Sequence, residues 1–153
     1  MSIRYAQVED ALEIKQLVTG LSHFYLENPT QALPAWFAET LEKAAFEQRL
    51  SSAQFVNLVY VNHTGIVGYL SIKGGDHLYH LFVAASEQGK GIASALWREA
   101  RTLIGFERCT LRSSLYAIPV YERFGFKMAG AAANKDGIGF QPMEWRRELV
   151  AMP

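Results

Sequence analysis

Residues 76–96 read Asp76-His77-Leu78-Tyr79-His80-Leu81-Phe82-Val83-Ala84-Ala85-Ser86-Glu87-Gln88-Gly89-Lys90-Gly91-Ile92-Ala93-Ser94-Ala95-Leu96, and three kinds of chain follow one another in them. Up to Val83 the residues are the aromatic and aliphatic types of a strand. A polar, glycine-bearing loop comes next, and Ile92, Leu96, Ala100 and Leu103 then recur at helical spacing. Strand, loop and helix in this order present backbone N–H groups to an anion, because the first amides of a helix lack partners and lie at the positive end of its dipole. Gly89 and Gly91 let the main chain come close to a ligand, since no Cβ intervenes. A diphosphate placed there meets these amides and the Lys90 ammonium, each charge-assisted bond contributing roughly 1.5–3 kcal/mol. Two other phosphate loops are excluded. The triphosphate loop needs GxxxxGK followed by Ser or Thr, but Ala84 stands at its first glycine and Gly91 follows Lys90. The dinucleotide fingerprint lacks its third glycine and an evident partner acid.

Outward from this stretch, Phe55 to Val61 and Ile66 to Ile72 read as antiparallel strands around Asn62-His63-Thr64-Gly65, and Gly74-Gly75 turns the chain into the strand at Asp76. Ile3 to Ala6 is a further strand. Ala11, Ile14, Val18, Leu21 and Tyr25 mark one helix, and Pro34, Trp36, Phe37, Leu41 and Ala45 mark a second. Downstream come a strand from Cys109 to Arg112, a helix from Tyr116 to Arg123 with Pro119 in its first turn and Gly125 as left-handed cap, and strands at Phe126–Ala129 and Phe140–Glu148. The order β, α, α, β, β, β, α, β, α, β, β predicts one mixed α/β domain over residues 1–153, its sheet of about six to seven strands mostly antiparallel and flanked by about four helices. Only the unit from Asp76 to Arg112 requires a parallel, right-handed crossover.

Fifteen Lys plus Arg balance fifteen Asp plus Glu, so no global field gathers nucleic acid or anionic lipid and any anion site is local. The uncharged run from Ser51 to Ile72 is long enough to cross a bilayer, but Gln54, Asn57, Asn62, His63, Thr64 and Gly65 interrupt it, and it reads as two strands. Met1 to Tyr5 lacks the apolar run of a signal peptide. One cysteine, Cys109, cannot close an intramolecular disulfide and reads as a small buried hydrophobe. With four scattered histidines it offers no zinc-ligand spacing, so no metal is expected and a reducing, cytoplasmic setting fits.

The loop matches (Gln/Arg)xxGx(Gly/Ala), and Ala117, Tyr121, Gly125 and Phe126 match AxxxYxxxGF. The two motifs in this order, each behind a strand, resemble the GCN5-related N-acetyltransferase (GNAT) superfamily between Asp76 and Phe126. The resemblance implies splayed fourth and fifth strands with acetyl-CoA wedged between them. It implies that Leu81, Phe82 and Val83 pair with the pantetheine arm, and that the backbone of Gln88, Gly89, Lys90, Gly91, Ile92, Ala93 and Ser94 holds the diphosphate. Tyr116 and Ala117 then line the arm. Ser114 stands where the family often has asparagine, a shorter group that still makes one hydrogen bond. A homodimer through the last strands is in keeping with family habit.

The resemblance also implies transfer of acetyl directly to a primary amine, of a small molecule or a peptide. Such transfer needs a neutral amine, stabilisation of an oxyanion, and a proton or hydrogen bond for the departing thiolate. Tyr121 matches the last role, and the Val83 amide is the oxyanion donor the family suggests. His77 stands at the strand position where some members carry a glutamate base, with Tyr79 two residues on along the same face and His80 pointing the opposite way, towards helices. A water chain serves as base equally well. The family resemblance assigns amine recognition to the region between the first two helices, with His23, Phe24, Tyr25, Glu27, Trp36 and Phe37. The alternative to an enzyme is a non-catalytic acyl-CoA-binding sensor of the same fold.

Overall fold

The computed structural model describes residues 2–21 and 32–147. The alternating segments pair as strands β1 (Ser2–Tyr5), β2 (Phe55–Asn62), β3 (Gly65–Lys73) and β4 (His77–Val83), each antiparallel to the next in space. Helices α1 (Ala11–Thr19), α2 (Ala35–Thr40) and α3 (Lys43–Ser51) fill the chain between β1 and β2. Helix α4 (Ile92–Ile104) crosses from β4 to β5 (Arg108–Ser114), the one parallel neighbour. Helix α5 (Ile118–Arg123) leads to β6 (Lys127–Met128), β7 (Ala133–Lys135) and β8 (Ile138–Arg146). The sheet runs β1-β2-β3-β4-β5-β8-β6, with β7 paired to β8.

The described residues hold eight strands and five helices, one more of each than the sequence pattern predicts. The predicted second helix is two. The Thr40 hydroxyl donates to the Phe37 carbonyl at 2.6 Å, Arg49 Nη2 donates to the Thr40 carbonyl at 2.7 Å, and Glu42 is extended at ψ 150°. Side-chain bonds therefore satisfy the carbonyls a continuous helix would use. The added strand is β7, three exposed residues without alternation, joined to β8 through Asp136-Gly137 at φ 54° and 87°. That dipeptide is a hairpin signal in itself.

Each sheet face carries its own core. On one, Leu96, Trp97 and Ala100 of α4 pack on Leu58, Leu70, Ile72, Leu111 and Met143, and Trp97 meets Phe106, Phe126 and Trp145 at ring separations of 5.1–5.5 Å. Helix α4 sits so close that a Cβ on Gly68 would lie 2.9 Å from Ile92 Cγ2 and 3.0 Å from Leu96 Cδ1. Gly68→Ala is expected to cost about 1–3 kcal/mol in urea unfolding, because overpacking pushes α4 off the sheet.

On the other face, Ala11, Ile14, Val18 and Phe46 of α1 and α3 cover Val59, Tyr69 and Phe82. The β3–β4 register slips between Ser71 and Ile72, which face His80 and Leu78, and Tyr79 is left as a bulge. The bulge corrects the expected alternation. Tyr79 and His80 stand side by side on this face, ring centroids 4.5 Å apart, and His80 is buried against Phe46, Tyr69 and Phe82.

Burial, with a smaller effect of Arg49, lowers the His80 pKa from 6.5 to about 3. Unfolding lets this imidazole take a proton below pH 6.5, so its contribution to stability is complete above that pH and is lost as pH falls towards 3. Between pH 7 and pH 5, His80→Gln is expected to lose about 2 kcal/mol less stability than the parent, as measured by urea midpoints at the two pH values.

Candidate active site

Strands β4 and β5 touch at only two register pairs, His77 with Thr110 and Leu78 with Leu111, and then part. From Tyr79 onward β4 is bonded on its β3 side alone. The Ala84 amide donates to the Val67 carbonyl at 2.9 Å, and in an antiparallel ladder such bonded positions alternate. Phe82 and His80 therefore face β3 with their backbone groups, while the N–H and C=O of Leu81 and Val83 face the gap. The Val83 carbonyl is held by Gln88 Nε2 at 3.1 Å, leaving the Leu81 pair and the Val83 amide directed into the opening.

A cavity of 630 Å³ occupies this gap. Leu78 and Leu111 line it at the point of divergence, with Tyr79, Leu81, Phe82 and Val83 along β4. Gln88, Gly89, Gly91, Ile92, Ala93 and Ser94 line the loop and first turn of α4. Ser114, Tyr116, Ala117 and Tyr121 line the β5–α5 side. Fourteen predicted site residues thus meet at one opening, and His77 and Lys90 are not in its lining. Lys90 Nζ lies 3.1 Å from Glu87 Oε2. His77 Nδ1 shares a 2.8 Å hydrogen bond with Thr110 Oγ1, at the root of the gap.

The loop offers its main chain to a ligand. Among the described residues none of the amides of 89–94 donates a hydrogen bond, and the first bond on entering α4 is Ala95 N to Gly91 O at 3.0 Å. Gln88 differs from its neighbours, since its amide turns to the Ala85 carbonyl at 3.5 Å. Its contribution is the side-chain clasp on Val83. Gly89 and Gly91 have φ of 79° and 82°, a region costly for residues with a Cβ, although a Cβ would touch nothing within 4 Å at either. Gly91→Ala is expected to lower stability by about 1–2 kcal/mol in urea unfolding, through backbone strain rather than a clash.

Ser114 Oγ accepts from the Ala117 amide at 3.2 Å and so caps the turn that sets α5. Helix α5 packs Tyr121 edge-on to Phe124 and Phe126, at 6.1 and 5.8 Å, with its phenol beside the gap. Burial, and the nearby Cys109 thiol, push the Tyr121 pKa upward, so the group is a hydroxyl donor across the physiological range. Cys109 is fully buried, and burial raises its own pKa to about 12. Burial first, then Arg112, hold His77 below its usual 6.5, so its imidazole is neutral at pH 7.

Sequence reasoning missed Arg112 and Arg123, both in the lining. Alternation on β5 places Arg112 opposite the buried Leu111, but nothing in the sequence shows that β4 has left by then. Of the residues that the resemblance assigns to amine recognition, His23, Phe24, Tyr25 and Glu27 lie outside the described residues. Trp36 of α2 donates its indole N–H to Asp136 Oδ2 at 2.8 Å, with Lys135 Nζ 4.4 Å above its ring, so the β7–β8 turn clasps α2. No helix among the described residues is long and apolar enough to cross a membrane.

A family model described as an acetyltransferase (GNAT) domain matches residues 25–147. A solved structure from Rhodopseudomonas palustris, described as a GCN5-related N-acetyltransferase, aminotransferase class II, superposes with a TM-score of 0.78 at 21% identity, over 95% of each chain. PaiA N-acetyltransferase from Thermoplasma acidophilum, in complex with coenzyme A, gives 0.77 at 19% identity over 96% of this chain and 100% of that one. The ribosomal-protein-S18-alanine N-acetyltransferase of Escherichia coli gives 0.70 at 15% identity over 98% and 96%. The search of curated proteins returned no match.

Proposed function

The chain belongs to the GNAT acetyltransferase family, and from that premise we propose that it transfers acetyl from acetyl-CoA directly to a primary amine of a small molecule or peptide. The observation that carries this reading is the parting of β4 and β5 after Leu78, beside a run of amides from 89 to 94 with no acceptor among the described residues. The residues fit the donor. The amides at the start of α4 suit a diphosphate. The Leu81 N–H and C=O suit the amide groups of an extended arm, as one strand suits another. Bound acetyl-CoA supplies an activated thioester carbonyl.

This chain's residues do the rest. In the proposed reaction the neutral nitrogen's lone pair forms the C–N bond and the C–S bond breaks. The Val83 N–H steadies the negative charge that grows on the carbonyl oxygen. Tyr121 gives its hydroxyl hydrogen bond to the departing sulfur, and the proton released by the nitrogen balances the one the thiol gains. Because the Tyr121 pKa is raised, its effect comes from hydrogen bonding more than from full transfer. His77, neutral at pH 7 and outside the cavity lining, acts on the nitrogen's proton through water. Tyr79, on the amine side of the bulge, shapes the approach.

Tyr121→Phe is expected to lower thiol release from acetyl-CoA by about 100-fold at saturating amine, while the Kd for CoA stays within about twofold. Unchanged release would remove Tyr121 from this role. The rival reading, a sensor that binds acyl-CoA without chemistry, draws on the position of His77. Tight CoA binding with no thiol release over a broad amine panel would favour that rival.

A further inference from the structure

We infer that the amine acceptor carries a carboxylate close to its reactive nitrogen, and that Arg112 is the group that receives it. The inference rests on the transferase reading above and narrows it to a substrate class. On β5, Cys109, Leu111 and Ser113 are buried, whereas Thr110 and Arg112 point to the other face, where Thr110 meets His77. Arg112 enters the cavity wall just past the last β4–β5 pair, and its charge reaches His77. It stands on the side of the sheet away from α4 and α5, hence away from the amides that suit the diphosphate.

Its guanidinium lies 5.5 Å from the Phe140 ring centroid, on the neighbouring strand β8. That cation–π contact holds the guanidinium beside β8 without using its N–H donors in an ion pair among the described residues. The carboxylate best placed to neutralise it from β8 is Glu144, opposite Thr110, but Glu144 is held by Arg108 and Arg146. Among the described residues Arg112 has no ion-pair partner. The cavity wall offers no substitute, for Glu87 is the one carboxylate among its described lining residues and Lys90 is paired with it. Among the described lining residues a polycationic amine would find two guanidiniums and no unpaired carboxylate. An amine with its own carboxylate instead makes the bidentate pair that arginine geometry favours.

An α-amino group fits the base chemistry too. At the start of a peptide its pKa near 8 leaves an appreciable neutral fraction at pH 7, whereas the α-amino group of a free amino acid, beside its own carboxylate, is more basic and a lysine-like amine near 10.4 is almost wholly protonated. A weakly basic, partly buried His77 suits the former. The carboxylate comes either from a free amino acid or from an acidic first residue of a peptide, and both present the same pair of groups.

The test uses matched acceptors with the intact protein. L-Phenylalanine and 2-phenylethylamine differ by the carboxylate alone, as do peptides beginning with Asp or Asn in charge. Thiol release gives kcat/KM for each, and calorimetry gives binding of each to the protein–CoA complex. The carboxylate-bearing member of at least one pair is expected to be favoured about 10- to 100-fold by either readout, the pair concerned identifying the source. Arg112→Gln should bring the two members level, Arg112→Lys should restore part of the preference, and the Kd for CoA should not move in either variant. Equal treatment of both members by the parent, or an Arg112→Gln loss shared equally between them, overturns the inference. Failure of the parent to bind CoA would instead overturn the transferase reading, so the two outcomes are distinct.

Discussion

Everything about this site follows from a conflict of pairing at β4. Its first two residues join β5, and the remainder belong to β3 alone. Strand β5 cannot follow, because all seven of its residues are paired with β8. The sheet is in effect two antiparallel sheets, β1 to β4 and β5 to β8, sewn together over two residues and by the core under α4. The bulge at Tyr79 falls where the seam ends, and a bulge bends its strand and adds twist. A gap held open by two well-paired sheets needs no strained residue to maintain it. It also leaves main-chain groups facing outward in the protein interior, a costly state unless water or a ligand meets them.

Much of this was legible in the sequence. Two glycines around Lys90, followed by a helical stripe, read as an anion-binding turn, and the amides of 89–94 donate to nothing among the described residues. The strands around the Asn62–Gly65 turn and the helix after Gly91 fall within a residue or two of their expected ends, because alternation and helical spacing are local signals. What escaped was non-local. The break at Thr40 depends on Arg49, nine residues on. The placing of His80 beside Tyr79 depends on a register slip against β3, which no pattern within β4 encodes. Arg112 gains its place from a strand that has departed, and Lys90 turned to Glu87, a partner three residues back that a glycine-loop motif does not mention. The Asp136-Gly137 hairpin was readable but short, and its strand showed no alternation.

The two sides of the gap are built from different materials. The side under α4 presents backbone: amides of the loop and the free edge of β4. Side chains there mainly set geometry, as Gln88 does at the Val83 carbonyl and Ser114 does at the α5 turn. The opposite side presents side chains: Tyr79 and Arg112 on the strands, with His77 at the root of the gap outside its lining and Trp36 clasped by Lys135 and Asp136 beyond. Backbone recognition depends on fold and hardly on residue identity, so a common ligand is held by chains of widely different sequence. Side-chain recognition changes with a single substitution.

The separate cores on the two faces of the sheet carry this division into heredity. Replacements among Ile14, Val18, Phe46 and Tyr69 reshape the face under α1 and α3 without disturbing the packing of Trp97, Leu96 and Ala100 that seats α4. A lineage of such proteins is therefore free to let each half of the molecule accumulate change at its own pace.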